Sequence, residues 1–310
     1  MKLIAILFVL FAYSANAQNL GPVSIAVGVP PGGNYDYYSR IVARYIVLPG
    51  APTVIVTNYK SDLLAAESIF SSQNRTIIGA VDSYLLFHMK LNGGMPGMNS
   101  NDFYWIGGIA RDRRVCFEVE NSSDTAFIGI SNFNATFAYS KILQTYFSGL
   151  VGKPIKNIPG YGGEARRMAL QTGELNLDCV GFPNSVVQQW IYTGHARVII
   201  DFSDKQYVEK SLVAFSEIDR ETIRMLLNSL QFRVAFQVNS KMPEVNKLII
   251  ENAYKNIFND KKFIEEREKQ KDNDVLAAAE YISASEINKS LSDAFFVKNQ
   301  VILRAREVLK

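Results

Sequence analysis

Residues 25–46, IAVGVPPGGNYDYYSRIVARYI, read as a buried strand that runs through a glycine turn into a helix, and the rest of the chain is organised outward from that turn. Ile25, Ala26, Val27 and Val29 make a short apolar run. Pro30-Pro31-Gly32-Gly33 then suits neither strand nor helix, and an amphipathic segment starts near Asp36, with Asn34 or Asp36 placed to cap it. The first N–H groups of such a helix lack intrahelical partners and carry the positive end of its dipole, so a carboxylate can dock there. Gly32 and Gly33 present no side chain to keep the anion from the backbone. The same residues also describe a plain βα connection, which is common in α/β folds and need bind nothing.

Strand-like and helix-like runs alternate beyond the turn. Residues 52–57 (PTVIVT) and 76–80 (TIIGA) are β-branched runs, residues 62–70 between them have a helical pattern, and another helix starts after Val81-Asp82-Ser83. This order implies a parallel sheet covered on both faces, with ligands gathering at the carboxyl ends of its strands. Gly32, Gly33, Asn58, Tyr59, Asp82 and Ser83 all belong there. Residues 91–102 read as a long loop. Residues 105–109 and 115–119 are strand material separated by Arg111-Asp112-Arg113-Arg114, which reads as a solvated turn with no anion-binding role.

A second series follows: strand 127–130, polar loop 131–137, helix 139–150, strand 155–158, and a second glycine turn, Pro159-Gly160-Tyr161-Gly162-Gly163. A helix over 164–172 stops at Gly173. Residues 175–180 and 198–201 add strands, with Phe182-Pro183-Asn184-Ser185 opening the helix between them. Residues 230–238 (LQFRVAFQV) form a long strand that carries the chain back to its first half. The remainder is helical, with Ser283 and Glu286 at capping-box spacing before a last helix that runs to about Val308. Each half thus has its own βα series and glycine turn, and the two turns are expected to face each other across a cleft.

At 310 residues, with 48% hydrophobic and 20% charged, the chain has a globular composition and the length of two ordinary domains. Its formal charge of +3 comes from 33 basic and 30 acidic residues spread along the sequence, which argues against nucleic acid or an anionic membrane surface as partner. Lys2, an apolar run over 3–13 and the small residues of Ser14-Ala15-Asn16-Ala17 read as a secretory signal, residues 1–17, cut before Gln18. The run is shorter than the ~20 residues of a membrane span. Export would let Cys116 and Cys179 form a disulfide, but both lie in strand-like runs where cysteine is more often a small buried hydrophobe, and nothing in the sequence brings the two within bridging distance. The cysteines and the two histidines, His88 and His195, have no zinc-site spacing, and neither a metal nor a cofactor is expected.

The exported N-terminus, the PPGGNYD turn and residues 157–180, NIPGYGGEARRMALQTGELNLDCV, resemble the periplasmic solute-binding proteins of tripartite tricarboxylate transporters, the Bug or TctC type. Pro30, Pro31, Gly32, Gly33, Asp36 and Ala43 fall on the first motif of that family, and Pro159, Gly162, Gly173, Glu174 and Leu175 on its second. The resemblance covers nearly the whole mature chain. It implies an α/β, two-lobed periplasmic-binding fold of type II, each lobe a mainly parallel sheet flanked by helices. Residues 18–115 plus 235–310 would make one lobe and 116–234 the other. It further implies a monomer that captures a small organic carboxylate and passes it to the membrane subunits of such a transporter. Carried over residue by residue, the ligand contacts are Gly32, Gly33, Asn34, Tyr35 and Asp36 from the first turn, with Asp82 and Ser83 from the third strand end. The second half supplies Ser131, Asn132, Tyr139, Ser140, Tyr161, Gly162 and Asn184.

Several positions depart from the family. Tyr35 stands where it usually has Thr, Gly160-Tyr161 replaces Tyr-Lys or Tyr-Arg, and Tyr59-Lys60-Ser61-Asp62 replaces a glycine-rich loop. Asp82 adds a negative charge that disfavours a second carboxylate or favours an ammonium group on the ligand. Two other readings stand beside this one. A sensor subunit that docks on a membrane histidine kinase would use the same lobes. An exported enzyme finds little support: there is no G-x-S-x-G, no H-E-x-x-H, and no third group to position a nucleophile beside Asp36 and Asp82.

Overall fold

The computed structural model describes residues 20–310 apart from 73–74, 121, 132–133, 183 and 271–274; the signal expected over residues 1–17 and the candidate Asn132 lie outside the described residues. Strand β1, Val23–Val27, has its apolar side chains buried on both faces, because helices cover both sides of its sheet. It pairs in parallel with β2 (Val54–Asn58) and β3 (Thr76–Ala80), Ile25 lying beside both Val56 and Ile78. Helices α1 (Asn34–Tyr45), α2 (Asp62–Phe70) and α3 (Ser83–Asn92) follow the three strands in turn. α2 lies close against the sheet: a Cβ on Gly79 would fall 2.2 Å from Ile69 Cδ1, and one on Gly28 would fall 2.3 Å from Asp62 Oδ1.

β4 (Phe103–Arg111) continues this sheet and β5 (Arg114–Val119) begins a second one. β6 (Ala126–Ile130), α4 (Ala135–Tyr146), α5 (Ser148–Val151), β7 (Ile155–Pro159), α6 (Gly163–Gln171), β8 (Leu177–Gly181), α7 (Ser185–Tyr192) and β9 (Ala196–Asp201) then complete the second sheet and its helices. After α8 (Lys205–Leu212) and α9 (Glu217–Ser229), β10 (Phe232–Asn239) returns to the first. α10 (Glu244–Ile257), α11 (Lys261–Glu268), β11 (Ile282–Ser283), α12 (Ala284–Phe295) and α13 (Asn299–Val308) close the chain. The strand orders are β11-β4-β10-β3-β1-β2 and β7-β6-β8-β5-β9.

The two crossings between sheets lie side by side. β4 and β10 pair antiparallel from Phe103 with Asn239 to Arg111 with Phe232, and the Asp112 N–H donates to Gln231 O at 2.7 Å just beyond them. α9 packs against α12 and α13, and one apolar cluster runs from Leu85 and Phe87 of α3 through Leu226 and Leu291 to Ile142 and Leu143 of α4. In the second sheet β5 runs antiparallel to β8 with Cys116 directly opposite Cys179, and the two cysteines form a disulfide across the pair. Both are fully buried, so the bridge is part of the core.

Three expectations need correction. The Arg111–Arg114 segment is only partly solvated: Arg111 and Arg113 are exposed as expected, but Arg114 is 7% exposed and forms an ion pair with the buried Asp112 carboxylate, at 2.9 Å. α4 starts at Ala135, not Tyr139, because the Asn134 side chain caps it by accepting from the Phe137 N–H at 3.0 Å. The last helix is two helices, α12 and α13, parted at residues 296–298; the Ser283 side chain caps α12 through the Glu286 N–H as expected.

Candidate ligand site at the junction of the two sheets

The helix starts of the two glycine turns have the same N-cap conformation. Gly33, the N-cap of α1, sits at φ −84°, ψ 170°, and Gly162, the N-cap of α6, at φ −77°, ψ 175°; neither helix end has a side-chain cap. Each follows a glycine of positive φ, Gly32 at 92° and Gly160 at 96°, a conformation that L side chains rarely adopt. The space over both N-caps is open: a Cβ on Gly162 would meet nothing within 4 Å, and one on Gly33 only Val29 Cγ2 at 3.8 Å. Neither N-cap glycine is therefore required by packing. Both have helix-end N–H groups to which no side chain among the described residues is hydrogen-bonded, which is the physical requirement for docking an anion.

Asp36 is the brace of the first turn. Its carboxylate accepts from Gly32 N–H at 3.0 Å, from Arg40 Nε at 3.0 Å and from Asn58 Nδ2 at 3.0 Å, and Asn58 also donates to Val29 O at 2.9 Å. Burial, which alone would raise its pKa, is outweighed by these bonds from Arg40, Gly32 and Asn58, and the carboxyl is held below its ordinary range. Tyr161 in the second turn packs against Gly129, and its hydroxyl donates to the Glu174 carboxylate. Asn184 caps α7 through the Val187 N–H at 3.2 Å.

The carboxyl end of the first sheet meets the second lobe at Asp82. Asp82, at the end of β3, caps α3 through the Tyr84 N–H and with its other oxygen accepts from the Ala135 N–H, the first residue of α4, both at 3.0 Å. Asp62 Oδ1 accepts from the Asp82 N–H at 2.9 Å. Burial pushes the Asp82 carboxyl up to about 6 against the pull of the Ala135 and Tyr84 N–H groups, and burial and the nearby Asp82 raise Asp62 well above the ordinary carboxyl range. The Tyr35 hydroxyl, reaching in from the first turn, is raised by burial and then by Asp82 and Asp62. Arg114 holds Asp112 and also donates to Thr136 Oγ1 and Cys179 O, each at 3.3 Å, while its guanidinium lies 5.0 Å from the Tyr139 ring. Arg233 of β10 donates to Gly181 O at the carboxyl end of β8, at 3.1 Å.

No family model matches the sequence, and no curated protein matches it. Solved structures do. BugD, a periplasmic binding protein, superposes with a TM-score of 0.64 at 14% identity over 93% of this chain and 97% of its own. MatC of Rhodopseudomonas palustris, solved with malate, gives 0.62 at 12% over 94% and 99%, and an adipate-bound protein of the same organism gives 0.60 at 14% over 94% and 97%. The fold is that of a periplasmic binding protein. Its two α/β lobes are the two sheets with their helices, each sheet mixing parallel pairs with the antiparallel pairs of the crossing strands.

On this binding-protein fold the residues nominated from the sequence separate into groups. Gly32, Gly33, Asn34 and Tyr35 lie on the first turn, Tyr161 and Gly162 on the second, and Ser131 directly after β6. Asp82 and Ser83 are buried at the junction, Ser83 Oγ donating to Phe232 O at 3.1 Å. Tyr139 and Ser140 face the interior of the second lobe: the Tyr139 ring stands 5.1 Å from that of Phe202, and Ser140 Oγ donates to Phe137 O at 2.7 Å within its own helix. The sequence reading did not nominate Asp62, Asp112, Arg114 or Arg233. For Arg233 the signal was present, as a charged residue in the middle of an apolar strand.

Proposed function

We propose that the protein is a solute-binding protein that captures a small organic carboxylate between its two lobes and delivers it to a tripartite tricarboxylate-type membrane transporter. The observation that carries this reading is the pair of matching, uncapped, glycine-started helix ends, one in each lobe, with open space above Gly33 and Gly162. A dicarboxylate gives each end an anion and favours the arrangement in which the lobes share it. The fold neighbours solved with malate and with adipate are in keeping with that class of ligand. A periplasmic location belongs to this reading, supported by the likeness to periplasmic binding proteins and by the signal expected over residues 1–17.

A thermal-shift screen of the purified protein against mono-, di- and tricarboxylates, aromatic acids and amino acids tests it. A carboxylate present at 100 times its dissociation constant adds about 2.7 kcal/mol of stability, a shift of a few degrees for a chain of this size. A folded protein that responds to no carboxylate, or that converts one to product, refutes the reading.

A further inference from the structure

Three arginines of the described chain are buried, and two of them have an acid for a partner. Arg114 pairs with Asp112 and Arg166 with Asp178, each at 2.9 Å. Arg233 is 4% exposed, and among the described residues no carboxylate forms an ion pair with it. A guanidinium has five N–H donors. The bond that Arg233 makes among the described residues is the one from Nη2 to Gly181 O, a neutral carbonyl. A buried cation without a counter-ion is an expensive arrangement, and where a fold keeps one the missing anion needs an explanation.

The position of the guanidinium supplies it. Arg233 projects from β10, a strand of the first lobe, and lies flat on the last residue of β8 in the second: a Cβ on Gly181 would fall 2.6 Å from Nε, 2.8 Å from Cζ and 2.9 Å from Nη2. Gly181 thus makes room for this fork. Strand carboxyl ends are where ligands collect in α/β folds, and the loop after β8 leads straight to Asn184. Arg233 is next in sequence to Phe232, whose carbonyl receives the hydroxyl of Ser83 at the end of β3. It therefore lies between the two lobes, carried by a first-lobe strand and seated on the end of β8. Burial lowers its pKa, the direction expected of a cation short of a partner, with Tyr38 and Asp112 opposing.

We propose that Arg233 is the cationic anchor of the ligand site, its unused guanidinium N–H groups receiving a carboxylate of the captured molecule at the meeting point of the two lobes. The inference rests on the binding function proposed above and goes beyond it in naming the residue that supplies the charge. A fork of this geometry favours a planar carboxylate over a neutral amide of the same shape.

The test compares wild type with Arg233→Met, Arg233→Lys and Gly181→Ala by thermal unfolding and titration calorimetry, using acetate, malate, adipate and benzoate, each beside its amide. The expected result is that Arg233→Met binds the carboxylates at least 100-fold more weakly, with its weak affinity for the amides unchanged. Without any probe it should unfold at the wild-type temperature or above it, because an unpaired buried charge has been replaced by an apolar chain of similar volume. Arg233→Lys should recover part of the carboxylate affinity, and Gly181→Ala should lose it by displacing the fork with the charge still present. Carboxylate binding by Arg233→Met at wild-type strength overturns the role of Arg233 while the binding function stands. So does a ligand-free Arg233→Met that unfolds well below wild type with no recovery of binding in Arg233→Lys, which marks a structural residue. A folded wild type that binds none of the four carboxylates overturns both.

Discussion

The carboxylate of Asp82, at the end of a first-lobe strand, accepts the backbone N–H of Ala135, at the start of a second-lobe helix, over 3.0 Å. A side chain of one lobe thus serves as the anion for a helix end of the other. That contact closes the junction without a ligand, and it does so with a carboxyl whose neighbour Asp62 is also buried and also acidic. Among the described residues no carboxylate of the other lobe accepts from the glycine-started ends of α1 and α6, and of the first turn's backbone N–H groups Asp36 takes up only that of Gly32, which precedes α1.

The Asp62 and Asp82 pair should make stability fall as the pH rises. An unfolded aspartate titrates near 3.9. Asp82 is raised to about 6 and Asp62 is raised as well, so both hold protons more tightly in the folded state. The stability they contribute is fully present below the unfolded value and is lost as the pH passes through the folded ones. Asp62→Asn keeps an oxygen to accept the Asp82 N–H and removes one buried charge. Its stability should exceed wild type by on the order of 1–3 kcal/mol at pH 8. By pH 4 the difference should vanish. Denaturant unfolding of both proteins at pH 4, 6 and 8 measures this, and a difference that is the same at every pH contradicts it.

The four turn glycines should divide by role. Gly32 and Gly160 have positive φ, so Gly32→Ala and Gly160→Ala should each cost about 1 kcal/mol or more. Gly33 and Gly162 have extended backbones and open surroundings, so Gly33→Ala and Gly162→Ala should stay within about 0.5 kcal/mol of wild type. Gly33→Val, equally harmless to folding, should weaken carboxylate binding by an order of magnitude by covering the helix-end N–H groups. Full affinity in Gly33→Val would remove the first turn from the ligand site.

The Cys116–Cys179 bridge closes a loop with a sequence separation of 63 inside the second lobe. The chain-entropy relation gives about 4 kcal/mol of stabilisation for a loop of that length. The double variant Cys116→Ala, Cys179→Ala should therefore unfold at clearly lower denaturant than wild type. Because both sulfurs are buried, a reductant should act on the native protein slowly and at the rate of unfolding.

What the sequence made legible followed from local rules. The PPGG turn was readable because prolines and glycines exclude both regular structures, and the alternation of strand-like and helix-like runs over β1 to β3 announced a sheet covered on both faces. The start of α4 was missed because its capping Asn134 lies inside a polar run with no contrast around it, and the break before α13 has neither glycine nor proline to mark it. The charge cluster was missed for a different reason. Arg114 and Asp112 are two residues apart and look solvated, and only the pairing of β5 with β8 and β9 buries them. The same holds for the two cysteines, which the strand register alone brings opposite each other.

Asp36 and Asn58 should act on the ligand through the turn rather than by touching it. Asp36 spends its oxygens on Gly32, Arg40 and Asn58, and Asn58 spends its amide on Val29 and Asp36, so the two form one clamp across the base of the loop. Removing either member releases the same loop. Asn58→Ala should destabilise the protein by about 1–3 kcal/mol, since it strips a partner from the buried Asp36 carboxylate, and Asp36→Ala by less, since Gly32 and Arg40 are exposed and Asn58 is half-buried. Each should also weaken carboxylate binding, and the double variant should bind no worse than the weaker single one, a coupling of 0.5 kcal/mol or more by the usual cycle. An Asp36 that met the ligand directly would behave otherwise, because its loss would add in full to that of Asn58. Titration of the four proteins with one carboxylate separates the two cases, and additive losses would return Asp36 to the ligand's surface.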